Sequence, residues 1–300
     1  MKRPWAVSLI VALRPTQWTK NAVVLAAWIF ALGDRTQQVS LSSFWTALQA
    51  AVLFCLVSSA IYLINDIRDV PWDRMHPKKQ KRPIAAGELS IPAASSLAGL
   101  LLIAGLGQAW LVAPALCGVL AVYVALQLGY CFFLKKIALI DLFVIASGFV
   151  LRALAGALAL QVTISPWLLL CTLLLALFLA LCKRRHEKVV LADTAAETRQ
   201  NMGQYSEKLL DQLIVIVSST TVMSYSLYTL WPDTIAKFGT PLLGLTIPFV
   251  IFGLFRYLDL VYRHEQGDRP ERILLTDGPL LIDLALYGLT VVFVLLFKNG

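Results

Sequence analysis

The chain of 300 residues has little charge, since only 15% of it is Asp, Glu, Lys or Arg while 58% is hydrophobic. With a mean hydropathy of +0.73, this composition excludes an ordinary water-soluble domain and predicts an integral membrane protein. Five cysteines show no paired spacing, so neither a disulfide framework nor a thiolate metal site is predicted. The three histidines fall in three different polar segments, which argues against a histidine metal site. They are His76, His186 and His264.

Nine apolar segments are long enough, or nearly so, to cross a bilayer as helices. They are 20–33, 44–64, 92–111, 115–133, 137–161, 166–182, 209–230, 241–262 and 279–297. Residues 4–13 are expected to lie along the membrane surface. Because Arg14 to Trp18 follows them in place of a small-residue cleavage site, the N-terminus is interpreted as retained. No internal repeat or low-complexity linker is evident, so one domain over residues 1–300 is predicted.

The distribution of positive charge predicts the orientation of these spans. With the N-terminus in the cytoplasm and the C-terminus outside, 21 of the 26 Lys and Arg residues fall in cytoplasmic segments, as the positive-inside rule requires. The long polar segments 65–91 and 183–208 then share the cytoplasmic side, which is where an active site is expected. Topology and anion-binding loops account for the net charge of +8, and nothing in it requires a nucleic acid.

An acidic cluster directly after the second span is the strongest candidate site, and it consists of Asn65, Asp66, Asp69 and Asp73. On a helix these residues lie at about 0°, 100°, 40° and 80°, within one quadrant. Mg²⁺ prefers oxygen ligands and leaves part of its coordination shell to water and substrate phosphate. The cluster predicts a metal site; the alternative is a solvated acidic helix end. Pro71 removes one helical hydrogen bond and predicts a kink between Asp69 and Asp73. A basic run after the cluster favours a polyanion, and its members are Arg74, Lys78, Lys79, Lys81 and Arg82.

Two further segments carry charged residues at the ends of predicted spans. Tyr130 and Lys135 lie between the fourth and fifth spans, where they are either phosphate ligands or an interfacial tyrosine with a snorkelling lysine. Lys183, Arg184 and Glu187 share a helix face after the sixth span. They form either a ligand-binding group or a positive-inside anchor.

Lys20, Asn21 and Arg152 complete the candidates. Lys20 and Asn21 stand at the inner end of the first span, where an anion site and ordinary membrane anchoring fit equally well. Arg152 lies deep in the fifth span, and a charged residue at that depth marks a functional or paired position. The sequence does not select its partner among the acids Asp141, Asp211, Asp259 and Asp283.

Three features stand together in this chain: the pattern Asn65-Asp66-x-x-Asp69-x-x-x-Asp73, the pair Tyr130 and Lys135, and nine predicted helices. In these features the chain resembles the UbiA superfamily of membrane prenyltransferases. Segments 14–21, 65–87 and 141–156 resemble its decaprenyl-phosphate phosphoribosyltransferase branch. Aromatic prenyltransferases of this superfamily carry a second aspartate motif after the sixth span. Here Lys183-Arg184-x-x-Glu187 takes that place, which suits a monophosphate lipid and one metal-bound diphosphate.

The resemblance implies a nine-helix bundle of UbiA type in a bacterial plasma membrane, with Mg²⁺ as cofactor. It implies transfer of 5-phosphoribosyl from phosphoribosyl pyrophosphate to a polyprenyl phosphate of decaprenyl type. An alternative is a UbiA-type transfer of a polyprenyl group from its diphosphate to an aromatic or other acceptor. A transporter or lipid-binding protein is disfavoured, because polar groups crowd the cytoplasmic rim instead of the midplane. Self-association is left open.

The resemblance also implies roles for the candidate residues. Mg²⁺ would be held by Asn65, Asp69 and Asp73, with Asp66 in the second shell or on a second ion. The residues expected near the departing diphosphate are Lys20, Lys81 and Arg82, and those expected to orient a phosphate are Tyr130 and Lys135. Residues expected to bind the lipid phosphate or the 5-phosphate are Arg152, Lys183 and Arg184, with Glu187 either ordering them or holding a ribose hydroxyl. Asn21 would complete the anion site beside Lys20.

Overall fold

The computed structural model describes residues 3–77, 79–190, 202–264, 267 and 270–296, and in this part of the chain all regular secondary structure is helical. The α-helices are α1 (Trp5–Leu13), α2 (Ala26–Gly33), α3 (Phe44–Met75), α4 (Ile91–Val112), α5 (Pro114–Phe132), α6 (Ile140–Leu160), α7 (Pro166–Val190), α8 (Glu207–Leu230), α9 (Pro232–Phe238), α10 (Ile247–Arg263), α11 (Pro270–Thr276) and α12 (Gly278–Leu296). The predicted surface segment 4–13 corresponds to α1. Pro71 does not end α3, which continues to Met75.

Within these described residues, seven helices are long and apolar enough to cross a membrane. They are Leu41–Met75, Ile91–Val112, Pro114–Phe132, Ile140–Leu160, Pro166–Val189, Glu207–Leu230 and Pro241–Arg263. The protein is therefore a multi-pass membrane protein. Of the two other predicted spans, 20–33 is divided between a 3₁₀ segment and α2, and 279–297 corresponds to the shorter apolar helix Gly278–Val294. The count of nine stays a prediction.

The chain divides into two compact units. The first comprises Met1–Ile29, Ser40–Leu134 and Leu151–Thr163, and α3 is its central helix. Of the apolar stretch of α3 that could cross the membrane, 61% is buried inside the protein. The corresponding shares are 17% for α4 and 22% for α5. Close packing of α4 on α3 needs Gly105, where a Cβ would lie only 2.7 Å from Cγ2 of Val57.

The second unit comprises Phe30–Val39, Lys135–Val150 and Ile164–Gly300. In its core, the rings of Phe178 on α7 and Tyr257 on α10 meet edge to face with centroids 5.5 Å apart. Asp277 caps α12 by accepting a hydrogen bond from the Leu280 amide at 3.0 Å. Hydrogen bonds from the Arg256 guanidinium hold the pKa of Asp277 below its usual value.

A 3₁₀ helix of 11 residues, Pro15–Leu25, joins α1 to α2 in the first unit. Runs of this length are uncommon because 3₁₀ hydrogen bonds have poorer geometry, so tertiary contacts must hold the segment. Nε1 of Trp18 donates to Oγ of Ser59 on α3 at 3.0 Å. On the other side, α6 comes so close at Gly156 that a Cβ there would lie 2.0 Å from the Val24 carbonyl oxygen. These contacts fix the segment that carries Lys20 and Asn21.

Candidate functional site

The predicted metal residues lie in the last three turns of α3. Side chains of Asp66 and Asp73 are buried, whereas Asn65 and Asp69 are half-buried. Seven residues separate Asp66 from Asp73, which is about 10 Å along the helix and nearly two full turns, so both occupy the same face. The Cys131 thiol at the end of α5 donates to Oδ1 of Asn65 at 3.4 Å. Asp66 and Asp73 therefore share one face, and a face common to all four residues stays a prediction.

Arg82 reaches this face because the segment after α3 folds back on the helix. The turn uses Gly87 with φ of +70°, a conformation that glycine adopts without strain. Nε of Arg74 donates to the Ala85 carbonyl at 3.2 Å and ties the segment to α3. Nη1 of Arg82 then donates to Oδ1 of Asp66 at 3.1 Å and to Oδ2 of Asp73 at 2.6 Å. One guanidinium therefore bridges two carboxylates.

Arg14 supplies a second guanidinium to the same carboxylate. Its Nη2 donates to Oδ1 of Asp66, and its guanidinium carbon lies 5.0 Å from the centroid of the Tyr62 ring. The backbone of Arg14 is left-handed, with φ of +54°, which is uncommon for a residue with a Cβ. Sequence reasoning placed Arg14 near the first span but did not connect it to Asp66. No local pattern links positions that are 52 residues apart.

The residues at this site fit a divalent cation in their chemistry, because carboxylate and amide oxygens are the donors that Mg²⁺ prefers. Among the residues that the structure describes, however, no three acidic, histidine or cysteine side chains lie close enough together to hold an ion. Two of the three acids, Asp66 and Asp73, contact arginines instead. The site in this conformation is a network of two carboxylates and two guanidiniums.

Asn21 and Arg152 lie together in the first unit, with 1% and 5% of their surfaces exposed. Nε of Arg152 donates to Oδ1 of Asn21 at 2.8 Å, and Nη2 donates to Oη of Tyr123 at 3.2 Å. The guanidinium also lies 4.8 Å from the Phe54 ring centroid and 5.1 Å from that of Tyr123. These partners are neutral, whereas the sequence suggested acids. Tyr123 and Phe54 were missed because an aromatic residue within an apolar helix carries no signal of its own.

Two of the suggested acids are engaged elsewhere, in the second unit. Asp211 accepts from Nε of Arg185 at 2.6 Å, and Asp259 accepts from Nη1 of Arg256 at 2.9 Å. A third, Asp141, is fully buried and contacts Arg184.

Arg184, predicted as a ligand for an anion, is only 2% exposed. Its Nη2 donates to Asp141 and its Nη1 to Glu187, both at 2.6 Å. The Tyr205 hydroxyl donates to the other Asp141 oxygen at 2.6 Å and accepts from the Leu139 amide at 2.7 Å. Burial raises the pKa of this hydroxyl, and the Asp141 hydrogen bond raises it further. Arg184 and Glu187 are brought together, as predicted, but within an internal network. The adjacent Lys183 is half-buried.

The other predicted residues lie at helix ends and turns. Lys20 is half-buried in the 3₁₀ segment, and Lys81 is exposed in the turn Lys79–Lys81; Lys78 lies outside the described residues. Tyr130 is half-buried at the end of α5, and Lys135 is half-buried in the 3₁₀ turn Leu134–Lys136.

Arg68, which sequence reasoning did not single out, holds the end of α5. Its Nη2 donates to the Phe132 carbonyl at 3.1 Å, and its guanidinium carbon lies 4.8 Å from the centroid of the Phe132 ring. This contact lies two residues from Tyr130 and ties the end of α5 to the last turns of α3.

The model of the UbiA prenyltransferase family matches residues 22–276 of the chain. The chain belongs to the UbiA family. It is 41% identical over 225 residues to the decaprenyl-phosphate phosphoribosyltransferase of Mycolicibacterium smegmatis, covering 75% of this chain and 71% of that protein. It is 38% identical over 283 residues to the protein of the same name from Corynebacterium glutamicum, covering 92% and 83%.

Among solved structures, a UbiA homolog from Archaeoglobus fulgidus bound to GPP and Mg²⁺ matches with a TM-score of 0.70 at 17% identity. The match covers 97% of this chain and 98% of that chain. The UbiA fold predicted from the motifs is thereby confirmed, as is the resemblance to the phosphoribosyltransferase branch.

Proposed function

We propose that this UbiA family member transfers 5-phosphoribosyl from phosphoribosyl pyrophosphate to a polyprenyl phosphate and releases diphosphate. The observation that carries the proposal is the 38–41% identity, over most of the chain, to proteins named decaprenyl-phosphate phosphoribosyltransferase. Lys183 and Arg184 stand where aromatic prenyltransferases of the superfamily carry a second acidic motif. This agrees with the proposal, because the proposed substrates include only one diphosphate and so need no second metal site.

The donor diphosphate is assigned to the end of α3 in the first unit. Asn65, Asp69 and Asp73 would hold Mg²⁺, with Asp66 behind them. Bound there, the ion would stabilise negative charge on the leaving diphosphate. Fixed cations on this side of the protein contribute to the same stabilisation, because their charge faces an anion that becomes more negative as the C1–O bond breaks. These cations are Lys20, Lys81 and Arg82.

The acceptor needs orientation more than activation. A phosphate monoester is already anionic at neutral pH, so attack on C1 of the ribose does not require a strong general base. Tyr130 and Lys135 are assigned to orient a phosphate. Arg152 and Lys183 are assigned to the lipid phosphate or the 5-phosphate, and Asn21 fixes the Arg152 guanidinium. Arg184 and Glu187 are assigned to hold α7 against the start of α6, because Arg184 pairs with Asp141 as well as with Glu187.

The membrane arrangement proposed for the chain is a single domain with nine transmembrane helices, the N-terminus and the active site in the cytoplasm, and the C-terminus outside. Its support is the concentration of Lys and Arg in alternate polar segments. The membrane would be a bacterial plasma membrane, because the relatives named above are bacterial proteins.

A second candidate is prenyl transfer from a prenyl diphosphate to an aromatic acceptor, which the description of the matching family favours. The two functions are separated by incubating detergent-purified protein with Mg²⁺, a polyprenyl phosphate and ribose-labelled phosphoribosyl pyrophosphate. Mg²⁺-dependent label in the organic phase supports the first function. Its absence across several prenol lengths, together with turnover of a prenyl diphosphate and an aromatic acceptor, supports the second.

A further inference from the structure

Four charged side chains at the end of α3 form one continuous ion-paired network, which consists of Arg14, Asp66, Arg82 and Asp73. We call it the arginine–aspartate network. The carboxylates lie inside, with side-chain exposures of 3% and 4%, and the guanidiniums lie outside them, with exposures of 24% and 26%. A cation that approaches the acids therefore meets the arginines first.

The network is balanced in charge, with two guanidiniums facing two carboxylates. Half-buried Asp69, one turn from Asp73 on the same helix, adds one negative charge. A divalent cation alone would find little net attraction here. It would also have to separate Arg82 from Asp66 and Asp73, which would leave this guanidinium without its carboxylate partners.

A diphosphate changes this balance because it offers the arginines new partners. Guanidinium groups bind phosphate oxygens through charge-assisted hydrogen bonds, often in pairs. When Arg82 turns to a diphosphate, Asp73 is released for the cation, and Asp66 is released as well if Arg14 turns in the same way. The backbone of Arg82 need not move for this exchange, and its carbonyl is held by the Ala86 amide at 2.8 Å. Rotation of the side chain suffices.

We propose that Arg82, assisted by Arg14, makes the acidic site selective for a divalent cation together with a diphosphate over the cation alone. Binding of either then strengthens binding of the other, and the coupling is reciprocal. The inference rests on the proposed function for the identity of the diphosphate donor. It concerns binding, so it can be tested without phosphoribosyl transfer.

The test measures Mn²⁺ binding to the detergent-purified full chain by the loss of the free-ion spin-resonance signal. Labelled inorganic pyrophosphate binding is measured in parallel by equilibrium dialysis, with protein-free buffer correcting for the Mn²⁺–pyrophosphate complex. In the unmodified protein, Mn²⁺ alone is expected to bind weakly, and saturating Mn²⁺ should strengthen pyrophosphate binding at least tenfold. In Arg82→Gln, Mn²⁺ alone should bind at least tenfold more tightly, and the strengthening of pyrophosphate binding should fall below about threefold.

Arg263→Gln on α10 is the control, because this exposed arginine pairs with Asp259, which lies outside the arginine–aspartate network. It should behave as the unmodified protein does. Arg82→Lys should restore weak Mn²⁺ binding, since it returns a positive charge to the acids. Arg14→Gln repeats the test if Arg82→Gln does not fold, and it should also tighten Mn²⁺ binding.

Mn²⁺ affinity unchanged in every folded variant that lacks one of the two guanidiniums would overturn the inference, even if phosphoribosyl transfer is demonstrated. Tighter Mn²⁺ binding in those variants, without any phosphoribosyl transfer by the unmodified protein, would support the inference and count against the proposed function instead. The two failures are therefore distinguishable.

Discussion

Substitution of Gly156 by alanine tests how the 3₁₀ segment is held. The added Cβ would lie 2.0 Å from the Val24 carbonyl oxygen, 3.0 Å from the Val24 carbonyl carbon and 3.1 Å from Cβ of Ala27. A close carbon–oxygen contact is about 3.3 Å, so the segment and α6 must separate by about 1.3 Å. Overpacking of this kind costs about 1–3 kcal/mol. The carbonyl is backbone, so no side-chain rotation can relieve the clash.

The functional consequence follows from the position of Asn21, three residues before Val24. Its 2.8 Å hydrogen bond from Arg152 would be stretched by a displacement of this size. We expect Gly156→Ala to lower both the melting temperature in detergent and the rate of phosphoribosyl transfer. Gly107→Ala on α4 is the control, because nothing lies within 4 Å of its Cβ position. An unchanged melting temperature in Gly156→Ala would refute the reasoning.

Three further predictions concern two charged side chains, Asp73 and Arg152, and the tyrosine that contacts Asp141. Asp73→Asn should abolish transfer in a folded protein, whereas substitution of the exposed Asp233 on α9, Asp233→Asn, should retain it; full activity of Asp73→Asn would contradict the metal-site assignment. Arg152→Lys keeps the charge but loses the planar fork and ring stacking, so transfer should fall at least tenfold at low polyprenyl phosphate, and wild-type kinetics would contradict the proposed role. Tyr205→Phe removes two hydrogen bonds, one donated to Asp141 and one accepted from the Leu139 amide, which should cost about 1–3 kcal/mol of stability; a melting curve identical to wild type would show that the hydroxyl contributes nothing.

The helices were largely predictable, because long apolar runs in a membrane have few alternatives to helix. The predicted span 92–111 corresponds to Ile91–Val112, and 115–133 corresponds to Pro114–Phe132. α3 continues eleven residues past its predicted span, to Met75. The prediction of the span followed the apolar residues alone, whereas the polar residues after them are also helical. The 3₁₀ form of Pro15–Leu25 was not predictable, since contacts with α3 and α6 hold it and not its local sequence.

At the site, helical periodicity correctly placed Asp66 and Asp73 on one face of α3. It could not show that Arg82 folds back onto both carboxylates, because that contact depends on the course of the loop after α3. The pairing of Arg184 with Glu187 follows from their spacing of three residues, but the burial of Arg184 against Asp141 joins positions 43 residues apart. Local spacing is readable in a sequence, whereas contacts between distant segments are not.

The proposed reaction moves phosphoribosyl to the lipid while diphosphate leaves. It is tested most directly with phosphoribosyl pyrophosphate labelled both in the ribose carbons and in the terminal phosphorus of the diphosphate, incubated with Mg²⁺, polyprenyl phosphate and purified protein. We predict that ribose label in the organic phase and free labelled diphosphate, separated from the unreacted donor in the aqueous phase, appear in equal molar amounts. Neither label entering the lipid, or both entering it together, would contradict the account.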